Sequence, residues 1–313
     1  MSLNRFSSRH IRSLIAAAIV ALTSACATTS GGAGGGDSKV TEAQALAAGA
    51  KAEWSGDLDN ALMEYVSALS ANPKSAEAHF RVASIHARLG NAGIADEAFQ
   101  RSLAIQPDHA GALEGRGLLL LEQGRHDAAR QFLHEAAAKD KARWKTFDAL
   151  GVLADLDSKH ELAQSYFGHA LELQPDHPSL LNNMGYSLYL MGDYDKAQPY
   201  FERALGIEPG NKNAWSNLSL VYVRKGKYPQ AVQALERIMD RPSALYSAGY
   251  VCKLDGKLAD AESLFRSAIE QSPSYNAKAH TALAQVLDER AQLRKKKKVS
   301  AKPRIDRTLV DIP

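Results

Sequence analysis

Residues 180–209 read LLNNMGYSLYLMGDYDKAQPYFERALGIEP, and two apolar stripes at helical spacing decide what this stretch is. Leu181, Met184, Gly185 and Leu188 fall at i, i+3, i+4 and i+7, one face of a first helix, and Ala197, Phe201, Ala204 and Leu205 mark the face of a second. Gly192-Asp193-Tyr194 separates the two as a turn. Pro209 stops the second helix, because proline lacks the backbone donor that a helix interior needs. Gly185, Ala197 and Ala204 let the helices approach closely, while Leu188, Tyr194 and Phe201 fill the space between them. The segment from Pro178 to Asn211 is a helical hairpin built to be stacked.

Copies of it run through most of the chain. Prolines at Pro73, Pro107, Pro175 and Pro209 are spaced by 34 residues or twice that, with Lys141 standing where the missing one would be. Turn glycines recur at Gly56, Gly90, Gly124 and Gly192, with Ser158 in the gap. Alanine recurs at Ala61, Ala95, Ala129, Ala163, Ala197 and Ala231, and four residues later stand Tyr65, Phe99, Leu133, Phe167, Phe201 and Leu235. This period and these residues resemble the tetratricopeptide repeat (TPR). The resemblance implies an all-α fold, a TPR solenoid of about seven helical hairpins in a right-handed superhelix.

The units are placed at 42–75, 76–109, 110–143, 144–177, 178–211, 212–241 and 242–275, together an array over 42–275. The sixth is four residues short, since Asp240-Arg241-Pro242 arrives early, and Gly249, Gly256, Ala261, Phe265, Ala268 and Pro273 then restore the register. The first three units read as weaker, with Gly49, Ala52 and Ala83 standing where larger side chains would pack. Residues 276–293, with Ala279, Leu283 and Val286 apolar, are expected to form a capping helix over the open end, and residues 294–313 a basic, disordered tail.

The first residues have a different logic. Arg5, Arg9 and Arg12 precede an apolar run from Leu14 to Leu22 that ends in small residues, the pattern of a signal peptide over 1–25. Leu22-Thr23-Ser24-Ala25-Cys26 resembles a bacterial lipobox, although Thr23 holds the place that is usually aliphatic. The resemblance implies a covalent lipid, palmitate included, on Cys26 as the new N-terminus and a membrane anchor through it. Ala27 in place of aspartate resembles lipoproteins sorted to the outer membrane, which face the periplasm. Residues 26–41 are glycine-rich with nothing to bury, a flexible tether. Cys252, the remaining cysteine, sits on an apolar stripe and reads as a small core residue.

The net charge of +3 conceals a division. The start holds three arginines and no acid, and residues 294–313 hold eight Lys or Arg against Asp306 and Asp311, so subtracting +3 and +6 leaves −6 on the body between. An acidic body with a basic end does not fit nucleic-acid binding. Nor does the sequence offer catalytic chemistry. His79 and His86 read as packing residues, and His160-Glu161-Leu162-Ala163-Gln164 lacks the second histidine of a zinc-protease helix. The chain reads as no enzyme, with no cofactor, no metal and no small-molecule substrate.

The expected site is the concave groove lined by the first helix of each hairpin. In the last three units its exposed positions are Asn182, Asn183, Tyr186, Tyr189, Ser216, Asn217, Leu220, Val223, Tyr246 and Tyr250, a face rich in asparagine and tyrosine. Asn183 and Asn217 hold equivalent places one repeat apart and resemble the asparagine ladders with which some TPR proteins hold a peptide backbone. Tyrosine adds apolar area at little entropic cost. Protein partners are therefore expected at this groove.

The stretch NNMGYSLYLMGDYDKAQPYFERAL and the closing GYVCKLDGKLADAESLFRSAIEQSPSYNAKAH, together with the lipobox and tether, resemble the TadD family of tight-adherence (Flp) pilus assembly lipoproteins. That resemblance implies an outer-membrane scaffold helping the pilus secretin to assemble or localise. Pilotin-like lipoproteins of type IV pili, and adaptor lipoproteins of outer-membrane barrel assembly or envelope hydrolases, share anchor and repeats and are the alternatives.

Overall fold

The structure is a computed structural model that describes residues 40–300. The signal peptide, Cys26, most of the tether and residues 301–313 of the tail lie outside the described residues. Among the described residues there are fifteen α-helices and no strand. They run as α1 (Glu42–Trp54) and α2 (Leu58–Ala71), α3 (Ala76–Arg88) and α4 (Ala92–Ile105), α5 (Ala110–Glu122) and α6 (His126–Lys139), then α7 (Trp144–Leu156) and α8 (His160–Leu173). There follow α9 (Pro178–Leu190) and α10 (Tyr194–Ile207), α11 (Lys212–Arg224) and α12 (Tyr228–Leu235), α13 (Arg241–Leu254) and α14 (Leu258–Glu270), and finally α15 (Ala277–Ser300). The all-α solenoid read from the period is what the chain forms.

Two compact units divide at Leu153 and Ala154, inside α7. In the first, α1 packs on α2, α3 on α4 and α5 on α6, and each hairpin packs on the next. In the second, the same pattern runs from α8 to α15, and the first helices α9, α11 and α13 also touch one another in succession. These first helices therefore share one layer, and the groove residues sit on them.

Local chemistry explains the hairpins. The turn position adopts φ between 70° and 85° at Gly56, Gly90, Gly124, Gly192, Gly226 and Gly256, a left-handed conformation that costs glycine nothing. Ser158 takes the same place with φ 59° and carries the strain of its Cβ. Side chains of Asp57, Ser75, Asp193, Asn211 and Asp240 each accept a backbone N–H of the helix that follows, and Thr41 with Gln44 closes a capping box on α1.

The repeated aromatic is the keystone of five of the seven hairpins, with Leu133 and Leu235 in its place in the third and sixth. Tyr65, Phe99, Phe167, Phe201 and Phe265 are all fully buried. Burying a ring of this kind stabilises a core by roughly 1.5–3 kcal/mol. Each ring needs a gap on the facing helix. A Cβ added at Gly185 would lie 2.9 Å from the Phe201 ring, and one at Gly249 3.0 Å from Phe265. Gly49, expected to be a weak spot where a larger residue would pack, is such a seat instead: its Cβ would lie 2.5 Å from Tyr65. The first hairpin is not underpacked there.

Two departures from regularity stand out. α12 has eight residues where the other second helices have 13 or 14, because Asp240 caps a new helix at Arg241 before α12 can complete its last turns. The final helix differs from expectation. Rather than a cap over 276–293 followed at 294 by disorder, α15 continues through the basic run to Ser300. Arginine and lysine are good helix formers, no glycine or proline interrupts them before Pro303, and cations favour a helix C-terminus.

Candidate partner-binding face

The expected groove residues lie together on the layer made by α9, α11 and α13, within the second unit. Asn182, Asn183, Tyr189, Ser216, Asn217, Leu220 and Tyr246 are half-buried, Val223 is buried, and Tyr186 and Tyr250 are exposed at 38% and 45%. Four tyrosines form two stacked pairs. Tyr186 and Tyr189 lie with ring centroids 6.0 Å apart and planes inclined by 20°, and Tyr246 and Tyr250 lie 6.3 Å apart at 25°. In each pair one ring is held by the fold and the other faces solvent. Tyr246 also packs against Phe265, which ties the second pair to the core of its hairpin.

The asparagines behave differently from a simple ladder. Asn217 donates from Nδ2 to Asn182 Oδ1 at 2.9 Å, and Asn182 Nδ2 in turn reaches Asn183 Oδ1 at 3.4 Å. The amide of the sixth unit thus joins Asn182 of the fifth, not its sequence equivalent Asn183. One of these bonds joins two repeats and the other lies within one, so the amides on this face are already ordered by one another.

Sequence reading missed the residue that fixes this face. Arg224, in the last turn of α11, donates from Nε to the Tyr189 hydroxyl at 2.9 Å and lies 5.7 Å above that ring. Its Nη1 pairs with Oδ1 of Asp255, the C-cap residue of α13. One guanidinium therefore links the fifth, sixth and seventh hairpins. The Asp255 side chain is only 6% exposed, and its Oδ2 is buried without a hydrogen-bond partner. Burial pushes the Tyr189 phenol above its usual range, so it stays protonated. The arginine and aspartate lie 31 positions apart, and only the stacking of α11 on α13 brings them together.

A second polar set has the residue types of a hydrolase but not the arrangement. Ser187 Oγ donates to Asp155 Oδ1 at 2.9 Å, and His160 Nδ1 lies 2.8 Å from that same oxygen. Aspartate stands between serine and histidine, so the imidazole does not address the hydroxyl as it would in a catalytic triad. The set ties the start of α8 to α9. His79 and His86 are buried packing residues, at 7% and 4% exposure, and burial lowers the pKa of both. Cys252 is fully buried and its thiol is pushed up to about 11 by burial, which makes it unreactive in the folded chain.

The first unit presents another chemistry. A cleft of about 480 Å³ beside α3 and α5 is lined by Phe80, Arg81, Arg88, Gly115, Arg143 and Lys145 among others. Its cations are largely matched: Glu53 pairs with Arg81 and Arg88, and buried Glu114 accepts from Arg143 at 2.7 Å and from Thr146 at 2.7 Å. No asparagine or tyrosine lines it.

The hairpin geometry and the residues that carry it give the described residues the fold of a TPR solenoid. Family profiles for the tetratricopeptide repeat match residues 166–199, 188–242 and 220–276, and the profile for the middle TPR-like domain of cilia and flagella-associated protein 70 matches 44–156. Over 131 residues the chain is 31% identical to the type IV pilus assembly protein PilF of Pseudomonas aeruginosa, a match covering 41% of this chain. The chain spans about half, 52%, of the length of that curated relative. Two solved structures share the fold. A TPR protein from Parabacteroides merdae is 17% identical, with 79% of this chain and 98% of that one covered and a TM-score of 0.52. The Cut9-Hcn1 heterotetramer of the APC/C is 20% identical, with 76% and 48% covered and a TM-score of 0.57.

Proposed function

We propose that the chain is a lipid-anchored scaffold of pilus assembly that holds a protein partner across α9, α11 and α13. The observation that carries this reading is the pair of tyrosine stacks, each with one ring fixed by the fold and one offered to solvent. Large rings held in place bury area on binding without first losing freedom, which is the economy expected of an interaction surface. The row of amides between the stacks supplies donors and acceptors for a main chain of any sequence.

Pilus assembly as the setting rests on two independent likenesses: the TadD-like segments of the repeats and the partial identity to a type IV pilus assembly protein. The first favours a tight-adherence (Flp) machine with its secretin as the partner. The second favours a type IV machine and is the alternative. The lipobox-like Leu22 to Cys26 supports an outer-membrane anchor that places the repeats in the periplasm.

One complementation experiment tests all three elements. A deletion strain is supplied with the native chain, with Cys26→Ser, or with Tyr186→Ala and Tyr250→Ala together, and is scored for secretin multimers and surface pili. We expect the first to restore both, the second to lose membrane retention, and the third to remain helical and anchored while losing the multimer. Loss of type IV pili alone selects the alternative machine. Normal pili of both kinds in the deletion strain would overturn the proposal.

A further inference from the structure

The two longest-range features left unexplained by the groove are the length of α15 and its charge. α15 has 24 residues, whereas its packing partner α14 has 13. Arg290 pairs with Glu262 on α14, and Leu293 and Arg294 lie beside Gly256, Lys257 and Leu258, where α14 begins. Beyond Arg294 the helix runs six more residues to Ser300, about 9 Å past the start of its partner at 1.5 Å per residue. A helix whose role ended with covering α14 would stop level with the start of α14.

Five consecutive cations run from Arg294, at the root of this overhang, to Lys298 within it, and Arg294, Lys295 and Lys296 are exposed. None of the five has an acid three or four positions earlier in the helix, where a helical ion pair would form: those positions hold Arg290, Ala291, Gln292, Leu293, Arg294 and Lys295. The charge is thus not neutralised within its own helix, and neighbouring cations repel. At 100° per residue five positions pass once around the helix, so the charge has no single face. Neither an aromatic nor an asparagine interleaves them.

We propose that this overhang is an electrostatic contact for an anionic phospholipid surface. Cations on every side, with no shaped apolar companion, suit a laterally extended sheet of phosphate charge better than a pocket that demands one orientation. The acidic body would oppose such an approach if it shared the contact. The overhang carries Lys295 to Lys298 up to about 6 Å beyond the start of α14, a distance comparable with the roughly 8 Å over which charges are screened at physiological ionic strength, so the acidic body behind them is partly screened from the contact. The same chemistry admits nucleic acid, but the overhang lacks the aromatic or amide side chains that read or stack bases.

Vesicle co-sedimentation of the full chain tests this. Each variant is compared on phosphatidylcholine vesicles and on vesicles that include phosphatidylglycerol, so the contribution of any acyl anchor cancels in the ratio. We expect the native chain to prefer the anionic vesicles by at least tenfold, and the preference to vanish at high salt. Lys295→Gln, Lys296→Gln, Lys297→Gln and Lys298→Gln together should remove it without changing helical content by circular dichroism. Equal binding to both vesicle types, or an undiminished preference in the four-fold variant, overturns the proposal. So does tighter binding to a short duplex DNA than to the anionic vesicles at the same salt.

Discussion

Replacing Arg224 by methionine keeps the length and much of the apolar stem of the side chain but deletes the charge that faces Asp255. The carboxylate left behind is 6% exposed, and its Oδ2 has no partner even in the native chain. Breaking a buried ion pair from one side costs about 3–5 kcal/mol. Arg224 itself is about one-third exposed, which puts this case near the lower end, at roughly 3 kcal/mol. Cys252, three residues before Asp255 and fully buried, offers a local reporter. With Cys26→Ser in the background, the thiol reacts with a labelling reagent only when α13 opens, so its rate follows the opening equilibrium. A cost of roughly 3 kcal/mol should speed labelling about 150-fold, at 1.36 kcal/mol per factor of ten. Asp255→Asn removes the charge that needs a partner, and Arg224→Met in that background should add less than about tenfold. If the single Arg224 variant labels within about threefold of the native chain, the pair is not the tie between these hairpins. If Asp255→Asn fails to rescue it, the loss came from packing of the arginine stem and not from an orphaned carboxylate.

Backbone and seat effects should separate cleanly at two positions: Ser158→Gly relieves a left-handed φ and is expected to stabilise by about 1 kcal/mol, while Gly185→Ala presses a methyl group into the Phe201 ring and should cost about 1–3 kcal/mol. Urea denaturation followed by circular dichroism checks both, and the opposite sign at either position contradicts the assigned geometry. Acid should weaken the first unit in two stages. Burial depresses the His79 and His86 pKa values, so the unfolded chain takes up protons first, and stability present above the ordinary histidine value of about 6.5 drains away as pH falls below it. Glu77, held at about 2 chiefly by its hydrogen bond with His109, adds a second loss as pH falls below the ordinary glutamate range. Thermal midpoints of the native chain and of His79→Gln with His86→Gln should converge as pH drops from about 7 toward 5, and parallel curves would refute the first stage.

How much of this was legible follows from how far apart the interacting residues lie in sequence. The turn at Gly192, the seat of Phe201 on Gly185 and the stop at Pro209 are events inside one hairpin, and a period of 34 residues repeats their signals along the chain. The tie from Tyr189 through Arg224 to Asp255 depends on how far one hairpin is rotated against the next. Spacing does not encode that rotation, so Asn217 reaches Asn182 when repeat position alone pairs it with Asn183. Gly49 was misread because a glycine facing a large ring looks, in one dimension, like a missing side chain. The run from Arg294 to Lys298 was misread because charge density suggests disorder, whereas the backbone preference of arginine and lysine is helical.

The brevity of α12 has a mechanical meaning. A stack of hairpins that carries a pull from one end to the other behaves as a spring whose coils lie in series, so the softest coil sets the load at which it yields. Eight residues are too few for a helix to hold itself together, and α12 depends on α11 and α13 for its shape. Arg224, on the helix beside it, clamps the coils on either side of that soft one to each other. Tension would therefore be absorbed at α12 first, while the two tyrosine stacks that flank it kept their geometry.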